Sequence, residues 1–294
     1  MEHEVRETPL RIDSSGTHKL SSDLTVKGYA AILIEADDVD LDLNGYTVRC
    51  LPVHPKPSDG SMPPPPIGIH ASGQKNIMVR NGKITACGRG FQADTNTRAL
   101  RLEGIDFSGN VSIGANLGGA SDCIVRGCTF AKIGGDLYEA YATGLNAVGP
   151  DSVVEHNLFV DLYRQSEVEG PGEGVGIIAG DGKMMIRYNW FANAVSRHGT
   201  IGVWGNQNSD VSVVENCFTN IERGVASRGT LTVTNNRFLL RDPLPDTRDQ
   251  IAVGANGGGV ASWNVVVGYT KSFKIATASG LIDNSTATNN LVLD

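Results

Sequence analysis

The feature that most constrains this chain is an alternating apolar segment that breaks at an Asn, with a Phe two positions later. It recurs in "PDSVVEHNLFVDL", "GDGKMMIRYNWFANA", "NSDVSVVENCFTNI" and "GTLTVTNNRFLL", with a related form in "SDCIVRGCTFAKI". Aligned on the apolar residue after the break, the copies fall at Val48, Ile84, Phe107, Phe130, Phe159, Phe191, Phe218, Phe238, Val266 and Val292. Their spacing runs from 20 residues (Phe218 to Phe238) to 36 (Val48 to Ile84). A constant framework with one loop of variable length per copy is the pattern of a solenoid.

Each copy holds two alternating segments. The first reads Gly, apolar, any, small: "GIHA" at 68–71, "GFQA" at 90–93, "GLNA" at 144–147, "GIIA" at 176–179, "GVWG" at 202–205 and "GVAS" at 224–227. The second carries pairs such as Met184 and Ile186, or Val211 and Val213, which share one face of a strand. Stacked at strand spacing, Asn157, Asn189, Asn216, Asn236, Asn264 and Asn290 would share one corner. A buried amide is costly alone, so a ladder of amides hydrogen-bonding along the stack is the expected solution. The Phe after each Asn turns inward and extends an aromatic stack. With 36 Gly, 19% charged residues and no run of helical periodicity, the chain reads as all-β.

These repeats, together with the opening "GTHKLSSDLTVKGYAAILIEADDVDLDLNGYTVRC", resemble the right-handed parallel β-helix proteins of the pectate-lyase-like superfamily. The likeness runs from about Thr17 to Leu293. It implies a single domain over 1–294, a single-stranded solenoid of about ten coils behind an N-terminal extension (1–16). It also implies a substrate lying along the first strand of each coil. Carbohydrate lyases, epimerases, hydrolases, esterases and phage depolymerases share this fold, so the reaction must be argued from the site.

Length variation concentrates in 49–67, 131–143, 160–175, 192–200 and 239–250, loops expected to wall a lateral groove. The repeat predicts that Gly68, Gly90, Gly144, Gly176, Gly202 and Gly224 face outward as its floor. Two residues on, His70, Gln92, Gly114, Asn146, Ile178, Trp204 and Ala226 form the next outward column; His70, Gln92, Asn146 and Trp204 are its candidate substrate contacts, with Tyr163 and Arg164 from a loop.

Two chemistries fit such loops. Glycoside hydrolysis needs paired carboxyls, for which Asp136 or Glu139 with Asp161 or Glu173 qualify. Elimination or epimerisation needs a base and a cation, for which His198 and Arg197 are the leading pair, with Tyr141 nearby. The signatures of polygalacturonases and alginate epimerases are absent. The leading expectation is a carbohydrate-active enzyme: lyase, epimerase or glycoside hydrolase. The alternatives are an intracellular isomerase or cyclase of a small apolar molecule, and a non-catalytic glycan-binding or assembly module.

A formal charge of −7 argues against nucleic acid, and no apolar stretch is long enough to span a membrane. No signal segment is evident, which points to the cytoplasm unless a leader was removed. The five Cys are expected as core thiols rather than metal ligands. No cofactor is expected; Ca²⁺ is considered at Asp40 and Asp42. Arg80, Glu103, Arg126, Glu155 and Arg187 are expected to form a solvated ladder, and a homo-oligomer is open.

Overall fold

The computed structural model describes residues 3–6, 8–51, 65–135, 142–164, 174–192, 199–241, 250–275 and 287–293. Every recorded strand pairing is parallel. The first segments form one sheet of eleven strands, from Leu10–Ile12 through Ile67–Ala71, Arg89–Ala93 and Ile113–Asn116 to Lys271–Ile275. The second and third segments of each coil continue into one another round a corner and build a sheet of twenty-one strands. Among the described residues there is no α-helix. A chain that pairs each segment only with its counterpart one coil away is a stack of coils, as the repeat predicts.

The core is a set of columns. Phe107, Phe130, Phe159, Phe191, Phe218 and Phe238 stack face to face, with ring centroids 5.0, 4.8, 4.8, 4.6 and 4.7 Å apart. Tyr269 closes the upper end edge-on, its hydroxyl donating to the Ile221 carbonyl at 2.6 Å. Beside the rings runs the amide ladder. The backbone N–H and Nδ2 of Asn157, Asn189, Asn216, Asn236 and Asn264 each donate to the Oδ1 of the next Asn, at 2.8–3.1 Å. Each Nδ2 also reaches a carbonyl one coil back, such as Ile186 O from Asn216 at 2.9 Å. The residue before each ladder Asn takes a left-handed conformation, including His156, Tyr188, Glu215, Asn235, Trp263 and Asn289. This left-handed residue is what breaks the alternation and turns the strand.

The glycine column corrects the expectation of an outward floor. All of these glycines are buried. A Cβ on Gly202 would lie 2.5 Å from Gly224 O and 2.5 Å from the Phe218 ring, and one on Gly224 would lie 2.4 Å from the Phe238 ring. The missing side chain makes room for the phenylalanine closing the same coil, or at Gly68 for Ile84. The chain carries an internal control. Ala252 takes the glycine's place beside Gly224, and in that coil Val266 takes the ring's place. Likewise Ala31 stands at the position of Gly68, in the coil that ends on Val48.

Gly202→Ala is therefore expected to cost about 1–3 kcal/mol by overpacking. In Gly202→Ala/Phe218→Val part of that cost is recovered, so the double variant should lose less than the sum of its parents by about 1 kcal/mol. Denaturant midpoints of the four proteins give the cycle; strict additivity would show that glycine and ring are independent.

Two further expectations change. Cys50 and Cys87, both buried, form a disulfide across adjacent coils, so they are not thiols. Cys123 and Cys128 are core thiols, their pKa values pushed by burial up to about 11 and about 12. Glu155 is not solvated: its side chain is 5% exposed, between Arg126 Nε at 2.6 Å and Arg187 Nε at 2.8 Å. Burial alone would raise its pKa, but the hydrogen bonds from Arg187 and Arg126 outweigh it and hold the carboxyl below its usual range. Asp40 and Asp42 both meet Arg80, at 3.0 and 3.1 Å. Among the described residues no group of three His, Cys, Asp or Glu side chains is placed to hold a metal ion.

Candidate functional site

The outward side of the first-segment sheet carries one continuous polar arrangement. Register places His70, Gln92, Asn116 and Asn146 in a single column. Asn116 therefore takes the place expected for Gly114, which belongs to the buried glycine column instead. Spacing along a parallel sheet puts these side chains about 4.8 Å apart, and the amides bond in sequence. Asn146 Nδ2 donates to Asn116 Oδ1 at 3.3 Å, and Asn116 Nδ2 donates to Gln92 Oε1 at 3.0 Å. Arg89 Nη1 donates to the same Gln92 oxygen at 3.0 Å, bringing a guanidinium to the row.

At the lower end stands an imidazole–carboxylate pair. His70 Nε2 lies 3.8 Å from Asp94 Oδ2, and the Ser72 hydroxyl donates to that same oxygen. Gln92 Nε2 donates to the Ala93 carbonyl at 2.8 Å and reaches Asp94 Oδ1 at 3.5 Å, tying the pair to the amide row. The Tyr29 ring meets His70 edge-on at 6.1 Å and closes the site below. His70 is 18% exposed and Asp94 45%, so the imidazole is sheltered while the carboxylate meets solvent. Among the described residues this is the one histidine in salt-bridge range of a carboxylate. Such a pair can take a proton from a bound molecule and stabilise the resulting imidazolium.

Four of the expected contacts thus share this face. Trp204 lies two coils above Asn146, flanked in register by Ile178 and Ala226, with the Arg228 guanidinium 5.4 Å over its ring. Tyr163 and Arg164 form a short strand against Gly134–Gly135 at the side. Asp161 occupies a left-handed turn, φ 52°, matched one coil below by Lys132 at the same φ, and its backbone N–H donates to Ala192 O. That position is set by the turn, which Asp tolerates well. His198, Arg197, Tyr141, Glu173, Asp136 and Glu139 lie outside the described residues.

Asp94, Asn116, Arg89, Ser72 and Tyr29 were missed from the sequence. Asp94 directly follows "GFQA", a signal that extending each first segment by one residue would have caught. Asn116 was hidden because "IGAN" lacks a long apolar residue after its glycine.

The description "right handed beta helix region" matches residues 66–191. In fold the chain is similar to the Dettilon tailspike protein gp208, with a TM-score of 0.62 at 12% identity, over 99% of this chain and 61% of that one. It thus spans about three fifths of the tailspike chain. It is also similar to DFA-IIIase from Arthrobacter chlorophenolicus A6 without its lid, with a TM-score of 0.53 at 13% identity, over 99% of this chain and 81% of that one. A search of the curated proteins found no match. Parallel pairing throughout, the buried amide and ring columns and these likenesses make the chain a right-handed parallel β-helix.

Proposed function

We propose that this protein is a carbohydrate-active enzyme whose saccharide lies along the outward face of the first sheet, with His70 as the group that moves the proton. The observation that carries the reading is the unbroken polar row from His70 and Asp94 through Gln92 and Asn116 to Asn146. Amides repeated at coil spacing suit a ligand that repeats hydroxyls. One imidazole backed by a carboxylate, with Arg89 in the row, favours proton abstraction beside a carbonyl over two-carboxyl hydrolysis. That points to a lyase or an epimerase. The Cys50–Cys87 bond fits an oxidising compartment, where glycan polymers are met, and weakens the intracellular isomerase reading.

The test is incubation with a panel of neutral and uronate oligosaccharides in deuterated water. A lyase yields the ultraviolet absorbance of a conjugated unsaturated product, and an epimerase yields solvent deuterium at the inverted carbon. New reducing ends without either signal would retire proton abstraction in favour of hydrolysis. Silence across the panel would leave a binding module as the better reading.

A further inference from the structure

Outward positions on a solvated sheet are normally polar, and in the early coils the third segment obeys this. Its first outward column begins Thr47, Lys83, Asp106 and Thr129. From the next coil it changes character: Leu158, Trp190, Cys217, Arg237, Val265 and Leu291 continue the same register. The second outward column, beginning Arg49 and Thr85, continues as Val160, Ala192, Thr219, Leu239, Val267 and Leu293, apolar but for Thr219. Trp190 is 56% exposed; Leu291 and Leu293 lie on the last described strand, where the inward-facing Val292 is exposed as well. A contiguous apolar face of this extent marks an interaction site.

The adjoining corner adds large rings. Tyr188 stacks on His156 at 5.0 Å, with the Arg187 guanidinium 5.7 Å over its ring, and Trp263 is 62% exposed. Tyr188 and Trp263 hold left-handed backbone, φ 57° and 58°, at a position where the same column elsewhere uses Gly127 or Asn235. A bulky side chain there costs about 1–2 kcal/mol, so these rings are displayed against their local preference. Trp, Tyr and Arg are the residues that dominate binding energy at protein interfaces.

We propose that this face, the third-segment sheet from Leu158 to Leu293 with its aromatic corner, binds a second copy of this chain. Charge selects the occupant. The chain carries −7 overall, yet Arg237 is the only charged residue in the two columns from Leu158 on. Two copies meeting here avoid the acidic repulsion they would feel elsewhere. Size agrees as well. Five coil steps at about 4.8 Å give a strip about 24 Å long. Two six-residue columns and the corner column beside them approach the roughly 20 residues a side of a standard interface. Aliphatic side chains without a row of hydroxyl-binding groups distinguish this face from the saccharide row on the first sheet.

Sedimentation velocity of the full chain across micromolar concentrations tests the proposal. The wild type is expected to sediment as an oligomer. Trp190→Asp and Leu293→Asp, both at exposed positions, are expected to shift it to the single-chain mass with melting temperature unchanged. The proposal is overturned by a wild type that is monomeric at every concentration, or by an oligomer that survives both substitutions. It is overturned equally by a monomer whose migration is retarded by polysaccharide in a gel and released by Trp190→Ala, since the face would then bind glycan. None of these outcomes depends on His70, so the enzymatic reading stands or falls separately.

Discussion

Asn216→Leu is expected to lower stability by about 3–5 kcal/mol, although it removes no aromatic ring and creates little empty space. The reason lies in what Asn216 holds. Its Oδ1 accepts from Asn189 N at 2.8 Å and Asn189 Nδ2 at 3.0 Å, and its Nδ2 donates to the carbonyls of Ile186 and Val214 and to Asn236 Oδ1. All of these groups sit in the core, and each buried polar group left without a partner costs about 1–3 kcal/mol. Leucine fills the volume and satisfies none of them. The half-buried Asn290, at the last described rung, is the control: Asn290→Leu should cost about half as much. Urea unfolding of both variants measures the difference. A midpoint for Asn216→Leu close to wild type would mean that the ladder follows from the fold without stabilising it.

The second large effect is on turnover. His70→Ala should reduce kcat by about 10²–10⁴-fold, the usual worth of a positioned general base, while KM stays within a few-fold and the melting temperature is unchanged. Asp94→Asn retains the contact but loses the charge that stabilises the imidazolium, so its loss should be smaller and again confined to kcat. Free imidazole added to the His70→Ala variant should restore part of the rate. Should His70→Ala raise KM and leave kcat intact, His70 is a binding group and the proton moves elsewhere.

The parts of the fold that could be read from residues alone are those where chemistry repeats with the coil. Asn157 to Asn290 and Phe107 to Phe238 announce themselves because a buried amide and a stacked ring each require a like neighbour above and below. The face of the glycines could not be read by alternation. Ile67, Gly68 and Ile69 are all buried, so the strand does not alternate simply there. The chain nonetheless contained the clue, because Ala252 and Ala31 replace glycine only in coils where Val266 and Val48 replace the ring. The Cys50–Cys87 bond was illegible for a different reason. It joins positions 37 apart in sequence, across a segment whose length no periodicity predicts. For the site, His70, Gln92 and Asn146 were found because they share a column. Asp94 was missed because it lies just past the strand, where alternation gives no direction.

One rung of the ladder carries a lesson for how such a protein diversifies. Asn216 and Asn236 bond directly across only 20 residues. That interval shows how little polypeptide a complete turn needs once its corner amide and ring are in place. Everything beyond that minimum in longer turns is elective. Evolution can lengthen, shorten or exchange those excursions while the inner columns keep their register, so specificity can change without the scaffold having to be reinvented.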